Sequence, residues 1–231
     1  MEVIDMSEKN LAVVLLSGGL DSCVTMAIAR EKHKNSIAVL HVGYGQRTQT
    51  REYNSFRAIA RFYNIPEIRI LANELDFLRK IGGSSLTDRN IPVDKDNKNA
   101  GTPTSYVPFR NTHLLSIAVS WAENINAKSI YIGAVQQDSP DYPDCRKEYY
   151  EAYNKLVEVG TKPSTNIKVL TPLLYMSKSE IVKKGIEIAA PLQLSWSCYE
   201  RNDKACGHCQ SCRLRLKAFE EAGFKDKIDY I

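Results

Sequence analysis

The sequence predicts an α/β fold: a doubly wound, mostly parallel sheet with helices on both faces. Three observations carry this. Short apolar runs of strand length recur at residues 11–16, 36–42, 68–71, 129–132 and 167–170. Segments whose apolar residues follow helical spacing lie between them. Gly18-Gly19, Gly43-Tyr44-Gly45 and Gly133-Ala134 then mark three of the strand ends. Strands that alternate with helices need right-handed crossovers and build a parallel sheet. Ligands of such sheets bind at the carboxyl ends of the strands, so these three ends outline a pocket.

The first ten residues are polar and read as a loose tail. Residues 11–16, Leu-Ala-Val-Val-Leu-Leu, are stopped by two glycines, as for a strand buried on both faces. A helix over 21–32 follows, with Val24, Ala27 and Ile28 on one face. Residues 36–42 are the second strand, and residues 48–63 a helix with Tyr53, Phe56, Ile59, Ala60 and Tyr63 on one side. Residues 68–71 are the third strand. Residues 82–105 carry Gly-Gly-Ser-Ser and then Asp88, Asn90, Pro92, Asp94, Asp96, Asn97, Asn99, Gly101 and Pro103, which leaves little to bury. A loop this long is read as a flexible flap over a substrate, in preference to a disordered insertion. Residues 111–126 form a helix with Leu114, Leu115, Ala118, Val119 and Ala122 inward. A strand over 129–132, a helix over 147–159 and a short strand over 167–170 come next. Ser177-Lys178-Ser179-Glu180 has capping-box spacing and opens a helix to about residue 188. The last helix runs from about Ser211 to Gly223, a C-cap residue.

A single domain over 1–231 is expected from 231 residues. At 43% hydrophobic and 25% charged the chain reads as globular. The net charge of +4 is mild, and its basic and acidic residues are interspersed. That argues against nucleic acid as a partner. No apolar run approaches the ~20 residues of a membrane-spanning helix, so no membrane is expected. The apolar run after the polar start is also too short for a signal peptide. The cytoplasm is the expected location.

Strand, glycine turn and helix together aim backbone N–H groups and a helix N-terminus at one spot, which suits a phosphate. Gly18 and Gly19 allow positive φ and let the backbone approach a ligand closely. Ser17 and Ser22 add hydroxyls. A carboxylate at Asp21 beside a polyphosphate is repulsive unless a cation such as Mg²⁺ lies between, or the side chain caps the helix. The P-loop string and the dinucleotide string G-x-G-x-x-G are both absent.

Four of the six cysteines crowd into Cys198-x7-Cys206-x2-Cys209-x2-Cys212. Two residues between cysteines let both sulfurs face one ion, and four thiolates complete a closed, structural Zn²⁺ site. An iron–sulfur cluster and a redox dithiol are the alternatives. His208 lies inside the cluster and reads as a surface neighbour. Cys23, one turn into the first helix, reads as a small buried residue, although a helix N-terminus lowers thiol pKa. Cys145 poses the same question.

Ser17-Gly18-Gly19-Leu20-Asp21-Ser22 resembles the pyrophosphate loop of the ATP pyrophosphatase superfamily, which cleaves ATP between the α and β phosphates. Taken with the four cysteines, the chain resembles the 7-cyano-7-deazaguanine synthase family. Further strings agree: Tyr44-Gly45-Gln46-Arg47, Ser84-Ser85-Leu86-Thr87, Val107-Pro108-Phe109-Arg110-Asn111, Tyr142-Pro143-Asp144-Cys145-Arg146, and Trp196-Ser197-Cys198-Tyr199. Two positions depart from the usual pattern: Gly43 stands where many members have Asp, and Phe109 where they have Gly.

The resemblance implies an adenine nucleotide alpha hydrolase-like fold. It also implies an ATP-dependent ligase that takes 7-carboxy-7-deazaguanine and ammonia to the nitrile, in queuosine or archaeosine precursor biosynthesis. ATP, Mg²⁺ and one structural Zn²⁺ are the implied cofactors, and a homodimer the implied assembly. The implied nucleotide-binding stretch is Leu16, Ser17, Gly18, Gly19, Leu20, Asp21, Ser22, Cys23, Val24, Thr25 and Met26. Asp21, Arg110, Asp144, Arg146 and Lys178 are the catalytic candidates. Tyr44, Gln46, Arg47, Arg110, Asn111 and Asp144 are the candidates for binding substrate. Rival expectations are a tRNA thiolase of the same superfamily and a non-catalytic zinc module that binds nucleic acid. The second leaves the phosphate loop unexplained.

Overall fold

The computed structural model describes residues 11–71, 75–94, 102–136 and 142–231. The tail expected over 1–10, and residues 95–101 of the expected flap, lie outside the described residues. The five strands are β1 (Ala12–Leu15), β2 (Ile37–Val42), β3 (Glu67–Leu71), β4 (Ser129–Tyr131) and β5 (Lys168–Leu170). They pair in the order β3-β2-β1-β4-β5, all parallel. The helices are α1 (Leu20–His33), α2 (Gln49–Phe62), α3 (Phe77–Ile81), α4 (Arg110–Asn124), α5 (Lys147–Gly160), α6 (Lys178–Glu187) and α7 (Gln210–Ala222).

Why β1 reads as an unbroken apolar run is plain from its neighbours. Val13 and Leu15 face one core with α4 and α5, through Leu115, Ala118, Tyr150 and Val157. Ala12, Val14 and Leu16 face the other with α1, α2, α6 and α7, through Val24, Phe56, Ile181 and Phe219. Side chains alternate along a strand, and here both faces are covered, so both must be apolar. Each large side chain buried this way contributes roughly 1.5–3 kcal/mol.

The chain order reverses direction across the sheet between β1 and β4, since β1 is followed outward by β2 and β3 on one side and by β4 and β5 on the other. Such a switch opens a crevice at the carboxyl ends of the two strands. Gly133, just after β4, lets that end press against α1. A Cβ there would stand 2.9 Å from the Asp21 carbonyl carbon and 3.0 Å from the Ser22 amide.

The capping box at α6 is present: Ser177 Oγ accepts from the Glu180 amide and Glu180 Oε2 accepts from the Ser177 amide. Gly223 closes α7 at φ 80°. Three short elements had no counterpart in the sequence reading: α3 and the 3₁₀ turns Pro143–Cys145 and Leu192–Leu194. The expectation that residues 82–105 leave little to bury is corrected for their first part. Ser84, Ser85, Leu86, Thr87 and Val93 are all buried. The Arg47 guanidinium explains part of this, donating to the carbonyls of Asp88 (2.8 Å) and Ile91 (2.6 Å).

Candidate active site and thiol cluster

A cavity of about 300 Å³ occupies the crevice. Leu16, Ser17, Gly19, Leu20, Asp21 and Ser22 form one edge, and Leu40, Val42, Ile132 and Ala134 give it an apolar floor. Tyr44, Leu86, Ser105, Arg110, Asn111, Tyr142 and Cys145 contribute a second wall, and Gln46, Glu52, Lys178, Trp196, Ser197, Tyr199, Ser211, Leu214 and Arg215 are also in the lining.

The loop is built largely as its residue types suggest. The Gly19 amide donates to Ser17 Oγ (3.2 Å), Ser17 Oγ donates to Ser22 Oγ (3.0 Å), and Ser22 Oγ donates to the Gly19 carbonyl (3.0 Å). Only Gly18 takes positive φ, at 94°; Gly19 is extended at φ −77°. Gly18 is not in the cavity lining, and its freedom serves packing. A Cβ there would stand 2.3 Å from the Glu52 carbonyl oxygen and 2.9 Å from the Phe56 amide, so glycine lets the loop lie against α2. Beyond Ser22 the structure does not bring the stretch to the cavity. Cys23, Val24, Thr25 and Met26 are fully buried, because this part of α1 is enclosed by the sheet on one side and α6 on another.

Lys178, at the start of α6, reaches across 157 residues of sequence to Asp21 Oδ2 at 2.6 Å. The other carboxylate oxygen, Asp21 Oδ1, is buried without a hydrogen-bond partner. A buried acceptor left open is costly, and a carboxylate oxygen in that position would fit a divalent cation, a hard ion that takes oxygen ligands. Asp21 therefore fits the Mg²⁺ that the loop implies.

Arg110 opens α4 and donates to Tyr44 Oη at 3.1 Å, its guanidinium carbon 5.3 Å from the centre of that ring. Burial works against its charge, but Tyr44, Asp144 and Cys145 around it more than offset this and hold the proton firmly. Among the described residues no carboxylate lies within ion-pair distance of it. Phe109, just before it, sits in the left-handed region at φ 59°. That conformation suits glycine, which explains why glycine is the usual residue there in the resembled family.

Asp144 is buried and does not line the cavity. Its Oδ2 accepts from the Asn111 amide (3.1 Å) in the first turn of α4, and its carbonyl accepts from Asn111 Nδ2 (3.0 Å). It thus holds the helix end that presents Arg110. Gln46 reaches the cavity already engaged, accepting from the Tyr44 amide and donating to Glu52 Oε2, both at 3.0 Å. Arg47 faces a second, more open cavity with Asp76, Arg79 and Arg89, and Arg146 is exposed and outside the lining. Burial pushes the thiol of Cys145 up to about 11, with the nearby Asp144 charge adding to it, and that of Cys23 up to about 12. Both stay protonated at neutral pH.

The four clustered cysteines are all buried, and their sulfurs lie within 4.8 Å of one another. Cys206 Sγ and Cys212 Sγ are 3.8 Å apart. That matches the edge of a tetrahedron, roughly 3.8 Å, around an ion with ~2.3 Å bonds to sulfur. Amides of Glu200, Cys206 and Cys209 point at the sulfurs (3.3–3.5 Å). Hydrogen bonds from the Cys209 and Cys212 thiols favour the thiolate of Cys198. The donor set fits Zn²⁺. His208 instead meets Glu200 Oε2 (3.0 Å) and the Cys206 carbonyl (2.8 Å).

The sequence reading did not single out Arg215, Trp196 or Ser105 as site residues. Arg215 is buried on α7, donating to Asp226, Ser195 Oγ, Ser197 Oγ and the Leu192 carbonyl. Its spacing from Cys212 and Ala218 on one helix face was the available signal.

The fold is a parallel α/β sheet of the adenine nucleotide alpha hydrolase-like kind, with a serine–glycine loop at its crevice and a four-thiol cluster beside it. Residues 11–223 match the family described as "Queuosine biosynthesis protein QueC". The chain is 58% identical over 220 residues to 7-cyano-7-deazaguanine synthase of Chlorobium chlorochromatii (strain CaD3), covering 95% of each chain. It is 57% identical over 220 residues to the enzyme of the same name from Chlorobium phaeobacteroides (strain DSM 266 / SMG 266 / 2430), covering 95% of this chain and 96% of that one. Among solved structures it is similar to the U34-tRNA thiolase NcsA from Methanococcus maripaludis with its 4Fe–4S cluster. The TM-score is 0.50 at 17% identity, over 94% of this chain and 66% of that one, a likeness of fold. The chain belongs to the QueC family of queuosine biosynthesis enzymes.

Proposed function

We propose that this chain uses ATP to convert 7-carboxy-7-deazaguanine and ammonia to 7-cyano-7-deazaguanine. The observation that carries this reading is Arg110: a charged guanidinium on the wall of the cavity headed by the phosphate loop, with no carboxylate partner among the described residues. It suits a substrate carboxylate, held bidentately. The synthases that the chain resembles at 57–58% identity point the same way.

A carboxylate is a poor electrophile and hydroxide a poor leaving group. Attack of the carboxylate on the α-phosphate, with loss of pyrophosphate, removes both obstacles. Ammonia then displaces AMP to give the amide, and a second activation of the amide oxygen permits elimination to the nitrile. In this reading Ser17, Gly19 and Ser22 hold phosphates with the first-turn amides of α1. Gly18 shapes the loop, and Lys178 neutralises charge as pyrophosphate departs. Asp21 would hold Mg²⁺, which supplies charge stabilisation at the phosphates. Tyr44 and Leu86 flank the base, while Asp144 and Asn111 orient Arg110. Cys198, Cys206, Cys209 and Cys212 would hold a structural Zn²⁺. The buried, protonated thiols of Cys23 and Cys145 disfavour thiolase chemistry.

We place the enzyme in the cytoplasm as a homodimer. No helix among the described residues is long and apolar enough to cross a membrane, and unpaired thiols suit a reducing compartment. Light scattering that returns the mass of one chain would contradict the dimer. The reaction is tested by mixing protein, ATP, ammonium and 7-carboxy-7-deazaguanine and following products by mass spectrometry. The nitrile should accumulate; its absence, with the protein folded and metal-loaded, would overturn the reading.

A further inference from the structure

The thiol cluster is tied to two parts of the cavity lining, and each tie is a specific one. Toward the phosphate loop the link is Trp196, two residues before Cys198. Its amide donates to the Gly18 carbonyl at 2.8 Å, its ring is buried, and the Arg51 guanidinium lies 4.3 Å over that ring. Toward the wall that holds Leu86 and Ser105 the link is Val93-Asp94. Val93 is buried in one apolar cluster with Trp196 and all four cysteines. The Asp94 carbonyl accepts from the amide of Gln210, the residue after Cys209, at 3.1 Å.

Asp94 then passes the connection on. Its Oδ2 accepts from both the amide and the hydroxyl of Thr104, at 2.8 and 2.9 Å. Thr104 in turn accepts from the Ser85 amide through its carbonyl at 2.7 Å and meets Ser85 Oγ at 3.2 Å. The next residues along each strand of this contact, Leu86 and Ser105, line the cavity.

We propose that the four-cysteine centre aligns the two sides of the active site. Trp196 is the positioning residue for the phosphate loop, and Asp94 the positioning residue for the wall formed by Leu86 and Ser105. The metal-loaded cluster therefore fixes the distance between the nucleotide and the group it activates. This rests on the reading of the cavity given above, but its first test does not.

Hydrogen exchange on the metal-loaded and chelator-stripped protein gives that test. Stripping should quicken exchange at least tenfold in residues 17–22 and 84–94 while β1 and β2 keep their protection. Quickening confined to residues 198–212, or spread equally over β1 and β2, would overturn the proposal. The second test is kinetic and uses intact metal-loaded variants. Asp94→Ala should raise KM for the carboxylated base about tenfold, the scale of one or two lost hydrogen bonds, with KM for ATP within twofold. Asp94→Asn, which keeps an acceptor for Thr104, should restore the wild-type value. Equal rises in both KM values, or no rescue by Asn, would refute the role of Asp94. Failure of wild type to make the nitrile strikes the reading of the reaction; failure of the exchange pattern strikes only this proposal.

Discussion

Two ion pairs in this molecule have almost the same N···O distance and opposite designs. Arg215 and Asp226 meet at 2.6 Å with side chains 1% and 3% exposed. Around them Ser195, Ser197, Leu192, Ile228 and Tyr230 take up the remaining donors and acceptors. Lys178 and Asp21 also meet at 2.6 Å, but at 20% and 26% exposure, and Asp21 Oδ1 has no partner. The first pair is saturated, and it ties the end of the chain to α7 and to the segment before the thiol cluster. The second is left short of a ligand at the edge of the cavity. The first pair is built as a structural tie, and the second leaves an acceptor open beside the cavity.

Substitutions should separate the two designs. Arg215→Met leaves the Asp226 carboxylate buried without its counter-charge, so chemical denaturation should show a loss of about 3–5 kcal/mol. Asp21→Ala should lower turnover on the order of 10²–10³-fold, as for loss of one preorganised electrostatic group. The denaturation midpoint should barely move, because a partly exposed pair is worth at most about 1 kcal/mol. If the two variants exchanged these phenotypes, the contrast would fail.

Alkaline pH sharpens the same contrast. The folded Cys23 thiol titrates near 12, above its ordinary value of 9.0, because burial disfavours the thiolate. The unfolded chain releases this proton first. Stability from that site is complete below about pH 9 and falls as pH rises toward 12. Urea midpoints measured from pH 8 to 10.5 should therefore decline less steeply in Cys23→Ala than in wild type. The smallest effect belongs to the α6 cap next to Lys178: Ser177→Ala should cost about 1 kcal/mol, read from thermal melts.

Much of the fold was legible because its signals are local. Two-faced burial writes β1 as a continuous apolar run, and Ser177 and Glu180 spell out a cap within four residues. The cysteine spacing likewise brought four sulfurs to one point. What escaped depends on tertiary context. Helix α3 has five residues, too few to show a period. The close approach of Gly18 to α2 is likewise something no local pattern reveals. The lysine paired with Asp21 lies 157 residues away and the tyrosine paired with Arg110 lies 66 away. Residue type suggested these groups, and only the parallel sheet, which brings the ends of β2, β1 and β4 to one edge, shows that they meet. Arg47 and Arg146 carried the right chemistry, but neither lines the cavity.

The central claim is that the loop at residues 17–22 presents the α-phosphate of ATP to a carboxylate held by Arg110. Phosphorus NMR of wild-type protein with ATP, Mg²⁺, ammonium and 7-carboxy-7-deazaguanine tests it most directly. The account predicts AMP and pyrophosphate, formed in step with the nitrile and dependent on the carboxylate. Nitrile formation accompanied by ADP and phosphate would contradict it.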